Sequence, residues 1–405
     1  MPSRQLDFPV FDADNHMYET RDALTKFLPP EYAGVIDFVE VRGRTKITVK
    51  GHISDYIPNP SFDRVAAPGA QEEYFKTGNP EGRSRREIMG KAIDAIPAFR
   101  EPVPRLKLMD ELGLDRALMW PTLASLVEER LRDDPDATHA VVHALNQWMH
   151  EHWTFNFENR IFPAPIITLP IVEEAIKELH WVLDRGAKII LVRPAPVPGF
   201  RGPRSFALPE FDPFWELVQE ADVVVGMHAS DSGYQRYINE WEGIRDDEFT
   251  PFKGFGLRAI TGAQHRDHRH RCVRHRPRPA AASPPEDHPV ENGSGWVRRS
   301  SVTWSGLRHQ PAHVRGGSRR GLQAQHLRAP FHEDDPVGLV GLLGPDNVLF
   351  GSDYPTLRAW QTPQLRRRPA GPPRRPGRQD HGRQPLPADE RRLMAWDMAP
   401  SSGPG

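Results

Sequence analysis

The stretch VEEAIKELHWVLDRGAKIILVRPAP, residues 172–196, reads as a helix over 172–186 that stops at a glycine and passes into a buried strand over 187–196. The unit recurs on both sides. PRLKLMDELG (104–113) leads to RALMWPT (116–122), DATHAVVHALNQWMHEHW (136–153) to RIFPAPIITLP (160–170), and FDPFWELVQEA (211–221) to DVVVGMHAS (222–230). Four such repeats favour a (β/α)8 TIM barrel over separate domains. FPVFDADNH (8–16) supplies the first strand. An insertion over 30–103 follows, in which VEVRGRTKITVKG (39–51) alternates with period two around Arg42-Gly43 and reads as a hairpin covering one end of the barrel.

After Lys253 the text changes: arginine, histidine and proline abound, and lysine is absent through residue 405. Islands of ordinary text survive, VENGSGWV (290–297) and PFHEDDPVGLVGLLGPDNVLFGSDYP (330–355), which read as the seventh and eighth units of the same barrel. Between them, codon choices exist for which reading one base later turns HQPAHVRGGSRRGLQAQH (309–326) into INPHTFAEDPVEAFRRNI. The same shift turns 267–278 into TTAIAVCGTVLG and 374–385 into DDPVAKIMGGNL. Each product has the periodicity that the written text lacks. The reading is therefore one barrel domain over 1–395, its C-terminal third disrupted by frameshifted text at about 263–289, 298–329 and 356–392, with a disordered tail at 396–405. The competing reading is a basic, nucleic-acid-binding region.

A formal net charge of −1 argues against a chain built as a whole for nucleic acid, and no apolar run approaches membrane-spanning length. A lone cysteine, Cys272, makes no internal disulfide, and the absence of a signal-like start places the chain in the cytoplasm.

Side chains at several strand ends converge at the functional end of a barrel. Asp14 and His16 close the first strand, at a spacing that points both to one side; His228 closes a middle strand and Asp353 the last. Two carboxylates and two imidazoles suit one divalent ion, Zn²⁺ first, Mn²⁺ or Fe²⁺ otherwise. Singly, each has a plainer explanation, as a capping loop, a satisfied strand-end histidine or a Ser-Asp-Tyr-Pro turn. Together they favour a metal. Asp12, by the same period, would face with Asp14 and support His16. Arg193 suits a bidentate contact to a substrate carboxylate or a structural salt bridge, and both stay open.

The stretches VFDADNHMYE, GLDRALMWPT, NRIFPAPIITLP, GAKIILVRPAPVPG, VVVGMHASDSGY, VENGSGWV and VLFGSDYP resemble the amidohydrolase superfamily. The likeness is to the branch that holds aminocarboxymuconate-semialdehyde decarboxylase and related aromatic-acid decarboxylases. It runs almost continuously over 8–262 and then through the islands. It implies a metal-dependent hydrolase or non-oxidative decarboxylase acting on a small aromatic or unsaturated carboxylic acid, without nucleic-acid or membrane partners, and a homodimer. It places the metal on Asp14, His16, His228 and Asp353, with His228 and Asp353 also catalytic, and Glu291 as a substrate contact at the end of the seventh strand. Members generally carry His-x-His or Glu-x-His at the first strand, so Asp14 departs from the pattern. No residue matches the family's strand-six histidine, although His265 lies near that place.

Overall fold

In the computed structural model, residues 9–77, 81–228, 230–231, 233, 239, 243, 287–290, 337, 340–341, 348–356 and 359 are described. All of them fall within the first of two units, 1–363. The expected boundary at 395/396 lies outside the described residues.

Strand β1 (Phe11–Met17) opens the architecture. The insertion then brings β2 (Ile36–Val41), β3 (Arg44–Val49) and β4 (His52–Ser54), an antiparallel meander, followed by β5 (Arg64–Val65), α1 (Glu72–Thr77), α2 (Arg85–Met89) and β6 (Ile93–Asp94). Val41 pairs with Arg44, which leaves Arg42 and Gly43 as a two-residue loop, both at positive φ (52° and 71°). That is the turn whose twist suits a hairpin. The insertion is fastened to the end of β1, where Tyr18 stacks on Phe62 at 4.5 Å and its amide donates to Phe99 O at 2.9 Å.

The alternating units follow: α3 (Pro102–Leu112), β7 (Arg116–Pro121), α4 (Val127–Arg130), α5 (Pro135–Trp153), β8 (Ile161–Pro163), α6 (Val172–Leu183), β9 (Ile189–Leu191), α7 (Asp212–Glu220), β10 (Val224–His228) and β11 (Asp287–Val290). Proline at the first helical position starts α3, and Gly113, at φ 73°, ends it by donating back to Asp110 O and Met109 O. Asp134 caps α5 by accepting from the Ala137 amide at 3.1 Å. The buried side of α5 carries Val141, Leu145, Trp148 and Trp153 into the core.

All sheet pairings among β1, β7, β8, β9, β10 and β11 are parallel, in the orders β1-β7-β8 and β9-β10-β11. A parallel bridge from Ile166 to Leu191 joins the two groups. On the far side of β1 lies the segment 348–354, where Ala13 N donates to Phe350 O (2.8 Å), Asp353 N to Asp14 O (2.7 Å) and His16 N to Tyr354 O (2.7 Å). β1 and this late segment are thus neighbours, an arrangement that closure of a barrel demands.

Three expectations shift. The strand expected over 160–170 forms a ladder only at 161–163, and that over 187–196 only at 189–191, because Pro163, Pro165, Pro170, Pro194 and Pro196 offer no amide hydrogen. The strand ending at Val290, expected seventh, pairs directly with β10 and so takes the sixth place. The place is fixed by the parallel ladder of Val225–His228 against Asp287–Val290, a pairing that the spacing of the islands along the sequence does not reveal.

Gly226, in the middle of β10, lies against the Trp120 ring, where any Cβ would overlap it. Trp120 is fully buried and its indole N–H donates to Ala13 O at 3.0 Å, so the ring has nowhere to go. Gly226→Ala is expected to cost about 1–3 kcal/mol, read from urea unfolding. A second expectation concerns pH. The Ile171 amide at the start of α6 donates to His139 Nε2 at 3.1 Å, and burial lowers the His139 pKa to about 4. The unfolded chain takes up this proton as pH falls through about 6.5 and the folded one only near 4, so stability falls across that window, by an amount of order 1–3 kcal/mol. His139→Gln is expected to flatten this part of the stability–pH curve.

Candidate metal centre

Donor atoms of Asp14, His16 and His228 lie within 4.8 Å of one another, and all three residues are buried. The Nε2 atoms of the two imidazoles are 3.0 Å apart, with the rings edge-on at 81°. Asp14 Oδ1 stands 3.6 Å from His16 Nε2 and 3.3 Å from His228 Nε2. Asp353 Oδ1 approaches His16 Nε2 to 3.4 Å, while its Oδ2 accepts from Thr356 Oγ1 at 2.6 Å. Asp353 itself sits in the left-handed region at φ 55°, the turn that aims its carboxylate. Asp14, His16 and His228 therefore meet at one point with Asp353 beside His16, four residues from three strand ends.

Their fit to a cation rests on Asp14 Oδ1. This atom is buried without a hydrogen-bond donor, and a carboxylate oxygen so placed is costly unless a positive charge faces it. Two imidazole nitrogens and anionic oxygens are the donor set of Zn²⁺, Mn²⁺ or Fe²⁺ sites, so the residues fit such an ion.

Asp12 does not support His16. The register of β1 against β7 slips between Asp12 and Asn15, so three steps of β1 span two of β7, and this bulge breaks the period-two alternation that would align Asp12 with Asp14. Asp12 instead accepts from Ser352 Oγ (2.5 Å), Ser352 N (2.9 Å), Asn15 Nδ2 (2.6 Å) and Asp14 N (3.0 Å). Burial pushes its pKa up to about 7 against those donors. Arg193 is buried and donates to Glu129 Oε2 and, at 2.9 Å, to Asp231 O. Glu291 and His265 lie outside the described residues.

Three residues beyond the sequence reading hold the centre. Arg105 of α3 donates to Asn15 Oδ1, to His16 O at 2.8 Å and to Ala98 O at 2.5 Å. Thr122, just past β7, lies 3.3 Å from His16 Nδ1. Glu19, fully buried, accepts from the Leu123 amide at 2.8 Å, and burial pushes its pKa up to about 8. Glu19 sits three residues after His16, the only hint in the sequence; Arg105 gives none, since an arginine in an amphipathic helix reads as its wet face.

The sequence profile of the amidohydrolase family matches residues 48–290. Among solved structures, an amidohydrolase from Mycobacterium avium subsp. paratuberculosis K-10 is similar with a TM-score of 0.79 and 32% identity, over 89% of this chain and 92% of that one. A 2,6-dihydroxybenzoate decarboxylase from Rhizobium gives a TM-score of 0.43 and 17% identity over 62% and 76% of the two chains. A dihydroxybenzoic acid decarboxylase from Polaromonas sp. JS666, with bound manganese and 2-nitroresorcinol, gives 0.41 and 15% over 70% and 83%. No curated protein matches the chain.

Burial lowers the Arg105 pKa to about 10, so the guanidinium remains charged at neutral pH. Replacing it by methionine keeps the apolar stem and strands the oxygens of Asn15, His16 and Ala98. Each orphaned acceptor costs about 1–3 kcal/mol. Arg105→Met is expected to lose about 3 kcal/mol or more in denaturant unfolding.

Proposed function

The chain belongs to the amidohydrolase family, and we propose that it is a metal-dependent enzyme, a hydrolase or non-oxidative decarboxylase, acting on a small aromatic or unsaturated carboxylic acid. Relatives in this family imply a TIM barrel, with which the parallel order and the meeting of first and last strand segments agree. The observation that carries the activity is the convergence of Asp14, His16 and His228 on one point beside Asp353.

Asp14, His16, His228 and Asp353 would hold the ion, Zn²⁺ first and Mn²⁺ or Fe²⁺ otherwise. When bound, it supplies Lewis-acid polarisation of a substrate oxygen and acidifies water. Asp353 moves the proton: Oδ2 is engaged by Thr356, which leaves Oδ1 facing the centre. In hydrolysis that oxygen takes the proton of the attacking water and returns it to the leaving group. In decarboxylation a protonated Asp353 delivers the proton that replaces carbon dioxide. His228, whose ring packs 5.5 Å from that of Trp120, is the second residue assigned to the chemistry. For Arg193 we take the structural role, because its guanidinium already neutralises buried Glu129. Glu291 stays a proposed substrate contact, and the protein a proposed cytoplasmic homodimer. No described helix is long and apolar enough to cross a membrane.

A second reading, favoured by the absence of lysine after Lys253, is that the C-terminal third is out-of-frame text and the chain an inactive relative. Resequencing codons 260–390 from fresh template separates the two. The enzyme reading expects full-length protein to carry about one divalent ion, to turn over aromatic carboxylic acids and to lose turnover on chelation. It expects His228→Ala and Asp353→Asn to lower kcat by about 100-fold or more. Metal-loaded protein with unchanged turnover in both variants would remove those residues from the chemistry.

A further inference from the structure

Thr122 Oγ1 donates its one proton to Met17 O at 2.8 Å. The same oxygen lies 3.3 Å from His16 Nδ1. A hydroxyl that has given its hydrogen to a carbonyl meets a ring nitrogen only through a lone pair, so the hydrogen between Thr122 and His16 must sit on Nδ1. In a neutral imidazole that leaves Nε2 as the bare nitrogen, and Nε2 is the atom facing Asp14, His228 and Asp353.

The 3.0 Å separation of the two Nε2 atoms agrees with this assignment. Two protonated nitrogens would clash at that distance, whereas one bare nitrogen on His16 accepts there or offers its lone pair to a cation.

Thr122 is itself held from below. Glu19 Oε1 accepts the amide of Leu123, the residue next to Thr122, at 2.8 Å. Glu19 belongs to the segment that continues β1, whereas Thr122 begins the turn after β7. The carboxyl therefore locks the second strand end against the first, with His16 between them.

We propose that Thr122, clamped by Glu19, is a positioning residue that sets the tautomer and ring orientation of His16 so that Nε2 faces the centre. The role rests on the metal-centre reading above. Partners of this kind, standing behind a ligating histidine, typically change metal affinity by about 10–100-fold when removed.

The test uses the full chain. In the metal-free wild type, long-range ¹H–¹⁵N spectra, with His16 identified by its loss in His16→Gln, are expected to show the hydrogen on Nδ1. Thr122→Val, which keeps the branched shape and removes the acceptor, is expected to shift His16 towards the Nε2–H form. It should also weaken Zn²⁺ binding by about 10–100-fold in a chelator competition. Thr122→Ser, which keeps the hydroxyl, is expected to restore both readouts. A wild-type His16 with its hydrogen on Nε2, or a folded Thr122→Val with unchanged tautomer and unchanged Zn²⁺ affinity, overturns the proposal. Should Thr122→Val fail to fold, the wild-type tautomer decides. Should the wild type bind no Zn²⁺, the metal reading fails, and the tautomer spectra still decide the role of Thr122.

Discussion

The guanidinium of Arg105 reaches oxygens in two parts of the chain, Ala98 at the end of the insertion and Asn15 and His16 in β1. Asn15 passes the connection on through its amide nitrogen to Asp12, and Asp12 to the amide and hydroxyl of Ser352. One buried chain of hydrogen bonds thus runs from helix α3 through the first strand to the last strand segment. It matters because the backbone link between those strands is short: Ala13, Asp14 and His16 meet Phe350, Asp353 and Tyr354 through single bonds rather than a long ladder. Charge-assisted bonds in a dry interior are stronger than neutral ones, and every member here has a partner, the condition under which a buried polar network stabilises a fold.

Much of the architecture is legible in the sequence because it follows from local rules. The helical spacing, the glycine after α3, the Asp-Pro start of α5 and the Arg42-Gly43 turn each fix an element without reference to the rest of the molecule. The strands are legible in place but not in length. Proline deletes ladder donors along 160–170 and 187–196, and what remains paired there depends on neighbours that no window of sequence contains. The sixth place in the strand order is likewise a matter of competition among distant segments, which periodicity cannot rank.

The site divides in the same way. That Asp14, His16 and His228 come together beside Asp353 is legible in the sequence because barrel topology gathers strand ends, so residue type and position suffice to expect it. Arg105, Thr122 and Glu19 escape because their roles depend on burial and on hydrogen bonds to backbone atoms. A threonine after a strand and a glutamate on a short turn carry no periodic mark. Asp12 was legible as a residue but not as a role, because the alternation that assigns it to the metal side assumes an unbroken strand.

That break is what lets one short strand do two things. In FDADNHM a regular alternation would send Asp12, Asp14 and His16 to one face and leave Asn15 on the other. The bulge between Asp12 and Asn15 turns Asp12 and Asn15 towards each other, joined at 2.6 Å and tied to Ser352 and Arg105. Asp14 and His16 are left facing His228. The strand is thereby fastened by its own acid and amide two and one positions away from the groups it presents. Those groups can then be held close, with an unsatisfied carboxylate oxygen between two imidazoles, an arrangement that a loosely anchored strand end would relax by turning Asp14 towards water. The structural half of the motif is what makes the chemical half tolerable.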